Sequence, residues 1–114
     1  MAPSAAYTGV AVRLRELDAI GRISLRIVDA EDTEAVVAAC TGAALLWLES
    51  PTNPMMETAD LPACIAGAHA AGALALVDST FATPILQRPL EHGADYVLHS
   101  ATKFLGGQIG RAHV

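Results

Sequence analysis

The sequence predicts an α/β protein with a three-layer, mostly parallel sheet, and three observations carry that expectation. Short, nearly continuous apolar runs recur at residues 43–48, 74–77 and 96–98. Strands buried on both faces by crossover helices read this way, whereas strands that face water alternate. The stretches between the runs hold helix caps, helix-spaced apolar residues and stop signals, so helix and strand alternate along the chain. Each run also ends in a polar cluster, and Asn53, Asp78 and Lys103 succeed one another at intervals of 25 residues, one βα unit per step.

Residues 10–20 are expected to form the first helix, with Val12, Leu14 and Leu17 apolar among interleaved arginines. Residues 23–28, Ile-Ser-Leu-Arg-Ile-Val, alternate with period two and read as a strand exposed on one face. Asp32 or Thr33 is placed to cap a helix carrying Ala35, Val36, Ala39 and Cys40. After the run at 43–48, Asp60 caps a helix with Pro62 in its first turn; Leu61, Ile65 and Ala68 mark its inner face and Gly72 its stop. The run at 74–77 leads to Asp78. Pro84 and Pro89 then break the chain into a loop and a short helix closing at Gly93, ahead of the last run. No internal repeat, low-complexity tract or linker divides the chain.

A length of 114 residues suits one domain, but 53% hydrophobic residues and 17% charged ones are too apolar for a small free-standing unit. The composition fits part of a larger domain. A net charge of −5 argues against nucleic acid or an anionic membrane as partner. No apolar stretch approaches the roughly 18 residues of a membrane span. No basic segment followed by an apolar one opens the chain, and a cytoplasmic location is expected. Cys40 and Cys64 lack metal spacing and read as small core residues in a reducing compartment; no metal site is expected. His69 and His92 read as surface helix residues, and His99 as structural.

The chemistry lies where the apolar runs end. The last run enters His99-Ser-Ala-Thr-Lys-Phe-Leu-Gly-Gly107. A lysine at the mouth of a buried strand is costly unless its amine is paired, neutralised or covalently used. Hydroxyls at Ser100 and Thr102 suit a phosphate, and the following glycines allow close backbone approach. This combination suits a Schiff-base lysine with a phosphorylated aldehyde, pyridoxal 5′-phosphate. Asp78, at the carboxyl end of a parallel strand, lies where open α/β sheets bind ligands, and a carboxylate there keeps a pyridine nitrogen protonated. Asn53 offers an amide beside Pro51 and Pro54. Each residue also has a plainer reading. Asp78 can be a cap or loop acid, Asn53 a turn residue, and Ser100 and Thr102 partners of backbone groups. Glu49 reads as a brace of its loop rather than a base. The order and spacing of the set favour the cofactor.

These residues resemble the Cys/Met-metabolism group of pyridoxal-phosphate enzymes, which includes cystathionine γ-synthase, cystathionine γ-lyase, methionine γ-lyase and the homoserine sulfhydrylases. The matching pieces are Glu49-Ser-Pro-Thr-Asn-Pro54, Val77-Asp-Ser-Thr-Phe-Ala-Thr-Pro84, Gln87-Arg-Pro-Leu90, Gly93-Ala-Asp95 and His99 to Gly107, spread over about residues 7 to 107. The resemblance implies part of the large domain of the aspartate-aminotransferase-like (fold type I) architecture. It makes Lys103 the catalytic residue that carries the cofactor covalently and takes the α-proton, and pairs Asp78 with the ring nitrogen. It also assigns Ser100 and Thr102 to the phosphate, Asn53 to the neighbourhood of the ring hydroxyl and Tyr7 to stacking on the ring. Tyr7-Thr-Gly-Val10 stands where the family has Tyr-Gly-Gly-Thr, and Ser79 where asparagine is commoner.

The implied function is a transsulfuration-type reaction at the γ-carbon of homoserine- or cysteine-derived amino acids. The Glu49–Met56 and Asp78–Pro84 variants lean towards a γ-synthase or γ-lyase. An O-acetylhomoserine sulfhydrylase or methionine γ-lyase is the alternative within the family. A truncated, non-catalytic pseudoenzyme that binds cofactor or intact subunits is the alternative outside it. The full-length protein is expected to be a homodimer or homotetramer with an amino-acid substrate, and the isolated chain to be inactive. Residues 1–107 are expected to be a partial cofactor-binding domain. Residues 108–114, with His113, are expected to be a non-native tail: Gln-Ile-Gly-Arg-Ala-His-Val is the translation of a base C followed by AGATCGGAAGAGCACACGTC, a common sequencing-library adapter.

Overall fold

In the computed structural model, residues 2–3 and 7–107 are described; the expected tail at 108–114 lies outside them. Strand β1 (Ala2–Pro3) is followed by helix α1 (Thr8–Ala19), strand β2 (Ile27–Val28), helix α2 (Thr33–Ala39) and strand β3 (Leu45–Glu49). Helix α3 (Leu61–Ala70), strand β4 (Leu74–Asp78), the one-turn helix α4 (Thr83–Leu86) and strand β5 (Tyr96–Leu98) complete the main elements. Single 3-10 turns occupy Pro89–His92 and Phe104–Gly106. The three expected apolar runs are β3, β4 and β5, and they form one all-parallel sheet in sequence order. The α/β class with a parallel sheet follows from the sequence as expected.

Alternation along the strands divides the sheet into two unlike faces. Leu46 and Leu48 of β3 and Ala75 and Val77 of β4 turn to the side of α2 and α3, and join Val36, Cys40, Leu61, Cys64, Ile65 and Ala68 in one buried core. Asp32 caps α2 by accepting from Ala35 N at 3.0 Å, and Asp60 caps α3 by accepting from Ala63 N at 3.2 Å. α3 ends at Gly72, whose φ of +82° is the left-handed conformation that favours glycine. Cys40 and Cys64 are free and buried, as their spacing suggests. On the opposite face Leu74 and Tyr96 remain 46% and 55% exposed. The third layer is represented there, among the described residues, by α1. Its half-buried Leu14 and the 22–26 segment stand across a cleft of about 430 Å³ from Leu45 and Trp47.

Three local expectations are corrected. The strand at 23–28 shrinks to Ile27–Val28, paired only with β1. Its neighbours are already engaged: Leu25 N donates to Asp18 Oδ1 at 3.0 Å, and the Arg26 guanidinium caps Ala39 O and Thr41 O at 2.7 and 2.6 Å. Val12 faces solvent, so the inner side of α1 is Val10, Leu14 and Leu17 instead. Pro84 does not leave a loop; it sits in the first turn of α4, where its missing N–H has no partner to lose. His69 lies on the surface, but with a carboxylate partner distant in sequence: Nε2 is 2.8 Å from Asp95 Oδ2, which also accepts from Ala75 N at 2.7 Å. This cluster ties α3 and β4 to the segment entering β5.

Two stability predictions follow from this packing. A Cβ on Gly67 would stand 2.5 Å from Val37 Cγ2 and 3.0 Å from Cγ1, so α2 and α3 touch at a position with no room for a methyl. Gly67→Ala is expected to cost about 1–3 kcal/mol in urea unfolding, and adding Val37→Ala to recover most of the loss. The Ala75 N–H first, and His69 second, hold the Asp95 carboxyl below its usual 3.8. A depressed carboxyl pKa contributes stability above the unfolded value that is lost as pH falls through the folded one. Denaturant midpoints should therefore decline in acid below about pH 3.8, more steeply in the parent chain than in Asp95→Asn.

Candidate functional site

Parallel register brings the carboxyl ends of the three strands to one level. Glu49 lies opposite Asp78, and Asp78 opposite Leu98. The backbone passes from one strand end to the next: Ser50 N donates to Asp78 O at 3.1 Å and Ser79 N to Leu98 O at 2.9 Å. Loops leaving these ends, together with Tyr7, enclose a cavity of about 250 Å³. All six residues singled out from the sequence, Tyr7, Asn53, Asp78, Ser100, Thr102 and Lys103, line it, along with Glu49, Pro51, Thr80 and Phe81. Residues separated by almost the whole chain meet there.

The polar groups are divided between those already bonded and those left free. Asp78 Oδ1 accepts from Thr80 N at 3.0 Å and from Thr80 Oγ1 at 2.5 Å, while Oδ2 has no donor among the described residues. Thr80 Oγ1 also accepts from Ser100 N at 3.0 Å, so one hydroxyl links the acid's loop to the lysine's loop. Ser100 Oγ and Thr102 Oγ1 lie 2.9 Å apart, a hydroxyl pair at the rim. Among the described residues the Lys103 amine makes no ion pair or hydrogen bond. It is exposed at the rim rather than buried, which corrects the expectation of a lysine in a closed strand mouth. A free amine can attack a carbonyl carbon, a free carboxylate oxygen can hold a cationic N–H, and paired hydroxyls can donate to an oxyanion.

Glu49 braces its loop, as expected, and does more. Although it is on the open face, it is only 6% exposed. Its Oε2 accepts from Tyr7 N at 2.7 Å and its Oε1 from Asn53 N at 3.2 Å. Burial pushes its carboxyl pKa above the usual value and the Asp78 charge adds to this, against the two opposing N–H groups. Edge-to-face contact of Phe81 and Phe104, with ring centres 6.4 Å apart, joins the loops after β4 and β5.

Thr80 and Gln87 were not singled out as site residues by sequence reasoning. Gln87 Nε2 donates to Ser50 O at 2.8 Å and to Ser79 Oγ at 2.9 Å, fastening the ends of β3 and β4 from below. Asp-x-Thr, a spacing that lets an acid and a hydroxyl close a local turn, was the available signal for Thr80. Gln87 had only its place in a family motif. Among the described residues no group of three His, Cys, Asp or Glu side chains is arranged to hold a metal ion.

Comparison with known proteins agrees with this geometry. A crystal structure of cystathionine gamma synthase from Xanthomonas oryzae pv. oryzae in complex with cystathionine superposes with a TM-score of 0.88 and 38% identity, over 93% of this chain and 28% of that one. L-Methionine gamma-lyase of Pseudomonas putida is 50% identical over 86 residues, 75% of this chain and 22% of the relative. A chloroplastic cystathionine beta-lyase of Mimosa pudica is 48% identical over 86 residues, 75% of this chain and 19% of the relative. The chain thus spans about a fifth of the length of these curated relatives. The model of the Cys/Met metabolism PLP-dependent enzymes matches residues 1–111, and this places the chain in that family of pyridoxal-phosphate enzymes.

Proposed function

We propose that the cavity binds pyridoxal 5′-phosphate through Lys103, and that the protein performs transsulfuration-type carbon–sulfur chemistry at the γ-carbon of an amino-acid substrate. The observation that carries this reading is the convergence on one cavity of an amine and a carboxylate oxygen that have no partner among the described residues, and of a hydroxyl pair. The donor set fits the group. Lys103 offers the amine for an aldehyde, Asp78 Oδ2 a lone pair for a ring N–H, Ser100 and Thr102 hydroxyls for a phosphate, and Tyr7 an aromatic face. When bound, the cofactor supplies an electrophilic carbon and an electron-withdrawing ring.

This chain's own residues do the rest. Asp78, held in one orientation by Thr80, keeps a ring nitrogen protonated. With cofactor and substrate bound, the Lys103 amine would be the group that accepts the proton from the substrate α-carbon. Asn53 orients the ring hydroxyl. Relatives named as γ-synthase, γ-lyase and β-lyase support sulfur amino acids as the substrate class, and those named for the γ-position favour the γ-carbon. A homodimer or homotetramer is the assembly we propose, in keeping with the exposed apolar residues on β4 and β5. No helix among the described residues is long and apolar enough to cross a membrane, and a cytoplasmic site of action remains part of the proposal.

Incubation with pyridoxal phosphate followed by borohydride reduction is expected to leave one phosphopyridoxyl group on the peptide containing Lys103, detected by mass, and none in Lys103→Ala. Lys103 is the sole lysine of the sequence, so label found on the amino terminus instead, or label retained in Lys103→Ala, would overturn the assignment. Asp78→Asn is expected to weaken cofactor binding about tenfold or more, as loss of a charge-assisted hydrogen bond does. Because the chain spans about a fifth of the length of its curated relatives, it is expected to load cofactor by itself without turning over cystathionine; sustained turnover by the purified chain would contradict this.

A further inference from the structure

We infer that Glu49 is a positioning residue whose ionised carboxylate clamps the Tyr7 backbone to the Asn53 turn and so places both along the wall of the cavity. What the clamp serves rests on the cofactor reading; the clamp itself does not.

Glu49 is the last residue of β3, and its two bonds reach in different directions, to a residue 42 positions earlier and to the turn that follows. Each oxygen takes one N–H. Protonating either oxygen would turn an acceptor into a donor facing an N–H and would break one side of the clamp. Among the described residues, the other hydrogen bond of Tyr7 is the helical one from Ala11 N to its carbonyl at 3.0 Å. The residue is 56% exposed, α1 buries no residue fully, and among the described residues the other side-chain hydrogen bonds of α1 are Arg13 to Glu16 and Leu25 N to Asp18. The turn after Glu49 is closed by its own bonds, Met56 N to Thr52 O at 3.0 Å and Glu57 N to Thr52 Oγ1 at 3.0 Å, and the Glu49 bond fixes the exposed Asn53 at its start.

The charged and titratable groups around Glu49 are few. Asp78 faces it in register from β4, the Tyr7 phenol stands on the segment before α1, and Lys103 lies on the loop after β5. No cation pairs with Glu49 among the described residues. Two carboxylates thus face each other at adjoining strand ends, and the N–H pair is what favours charge on the more buried one. The folded pKa is raised, so the stability linked to Glu49 is fully present below its usual 4.5 and is lost as pH rises through the folded value. Ionisation of Glu49 therefore costs the fold stability and secures the clamp. A cation seated on Asp78 would relieve the repulsion and hold the clamp to lower pH.

The test is an acid-to-neutral titration of the 15N-labelled chain by NMR. The Tyr7 and Asn53 amide protons are expected to shift with one shared midpoint above 4.5, and Glu49→Gln to abolish both shifts while the Leu46 and Val77 methyl signals keep their positions. Asp78→Asn retains Glu49 and should lower the shared midpoint, which keeps the inference open to refutation should Glu49→Gln perturb the fold. In denaturant, Glu49→Gln should gain stability relative to the parent chain as pH rises through that midpoint. Separate midpoints for the two amides, or shifts that persist in Glu49→Gln, would overturn the clamp. An intact clamp titration without borohydride labelling of Lys103 would sink the cofactor reading alone.

Discussion

Everything at the candidate site depends on the parallel register of three short strands. Once Glu49 lies opposite Asp78 and Asp78 opposite Leu98, the three loops that follow begin at one height and on one edge. A slip of one residue would carry Asp78 to the face buried against α2 and α3, because side chains alternate along a strand. The apolar core prevents that slip. Leu46, Leu48, Ala75 and Val77 are all buried on the helical face, and a shifted strand would exchange them for Trp47, Leu76 and the acids. The hydrophobic pattern that stabilises the sheet is thus also what aims the polar residues.

Register alone leaves the loops free to diverge, and a layer of buried polar groups holds them together. Ser50, Thr52 and Ser79 are almost fully inaccessible, and each is bonded. Ser50 Oγ accepts from Ala59 N, Gln87 spans Ser50 and Ser79, and Thr80 spans Asp78 and Ser100. A buried polar group left unbonded costs about 1–3 kcal/mol, whereas a satisfied one contributes only about 1. Such a network therefore adds little net stability but excludes alternative loop arrangements. It places the Asp78 carboxylate in one orientation before any ligand arrives, the form of preorganisation that catalysis exploits.

The two faces of the sheet serve different ends. One is closed by α2 and α3 at contact distances that leave no space for a methyl on Gly67. The other is open, half-apolar and carries Glu49 and Asp78 at its rim. Carboxylates tolerate this second face because one is bonded to two backbone N–H groups and the other to Thr80. A chemical site needs groups that are not fully satisfied, and this face keeps Asp78 Oδ2 and the Lys103 amine in that condition.

Much of this was legible in the sequence. Three apolar runs, two aspartate caps and the spacing of Asn53, Asp78 and Lys103 depend on local pattern, which one chain carries in full. Together with the hydroxyls before Lys103 they sufficed for the α/β class, the parallel order and five of the six cavity residues; Tyr7 came from the family resemblance alone. Long-range partners were not legible. The clamp from Glu49 to Tyr7, the His69–Asp95 contact and the Gln87 bridge each join residues that no sequence period relates. The segment at 23–28 has the alternation of a strand, yet its backbone and arginine are claimed by Asp18, Ala39 and Thr41. Periodicity records which side of an element avoids water. Only the folded chain decides which distant group satisfies each hydrogen bond, because that depends on distances which close when the core packs.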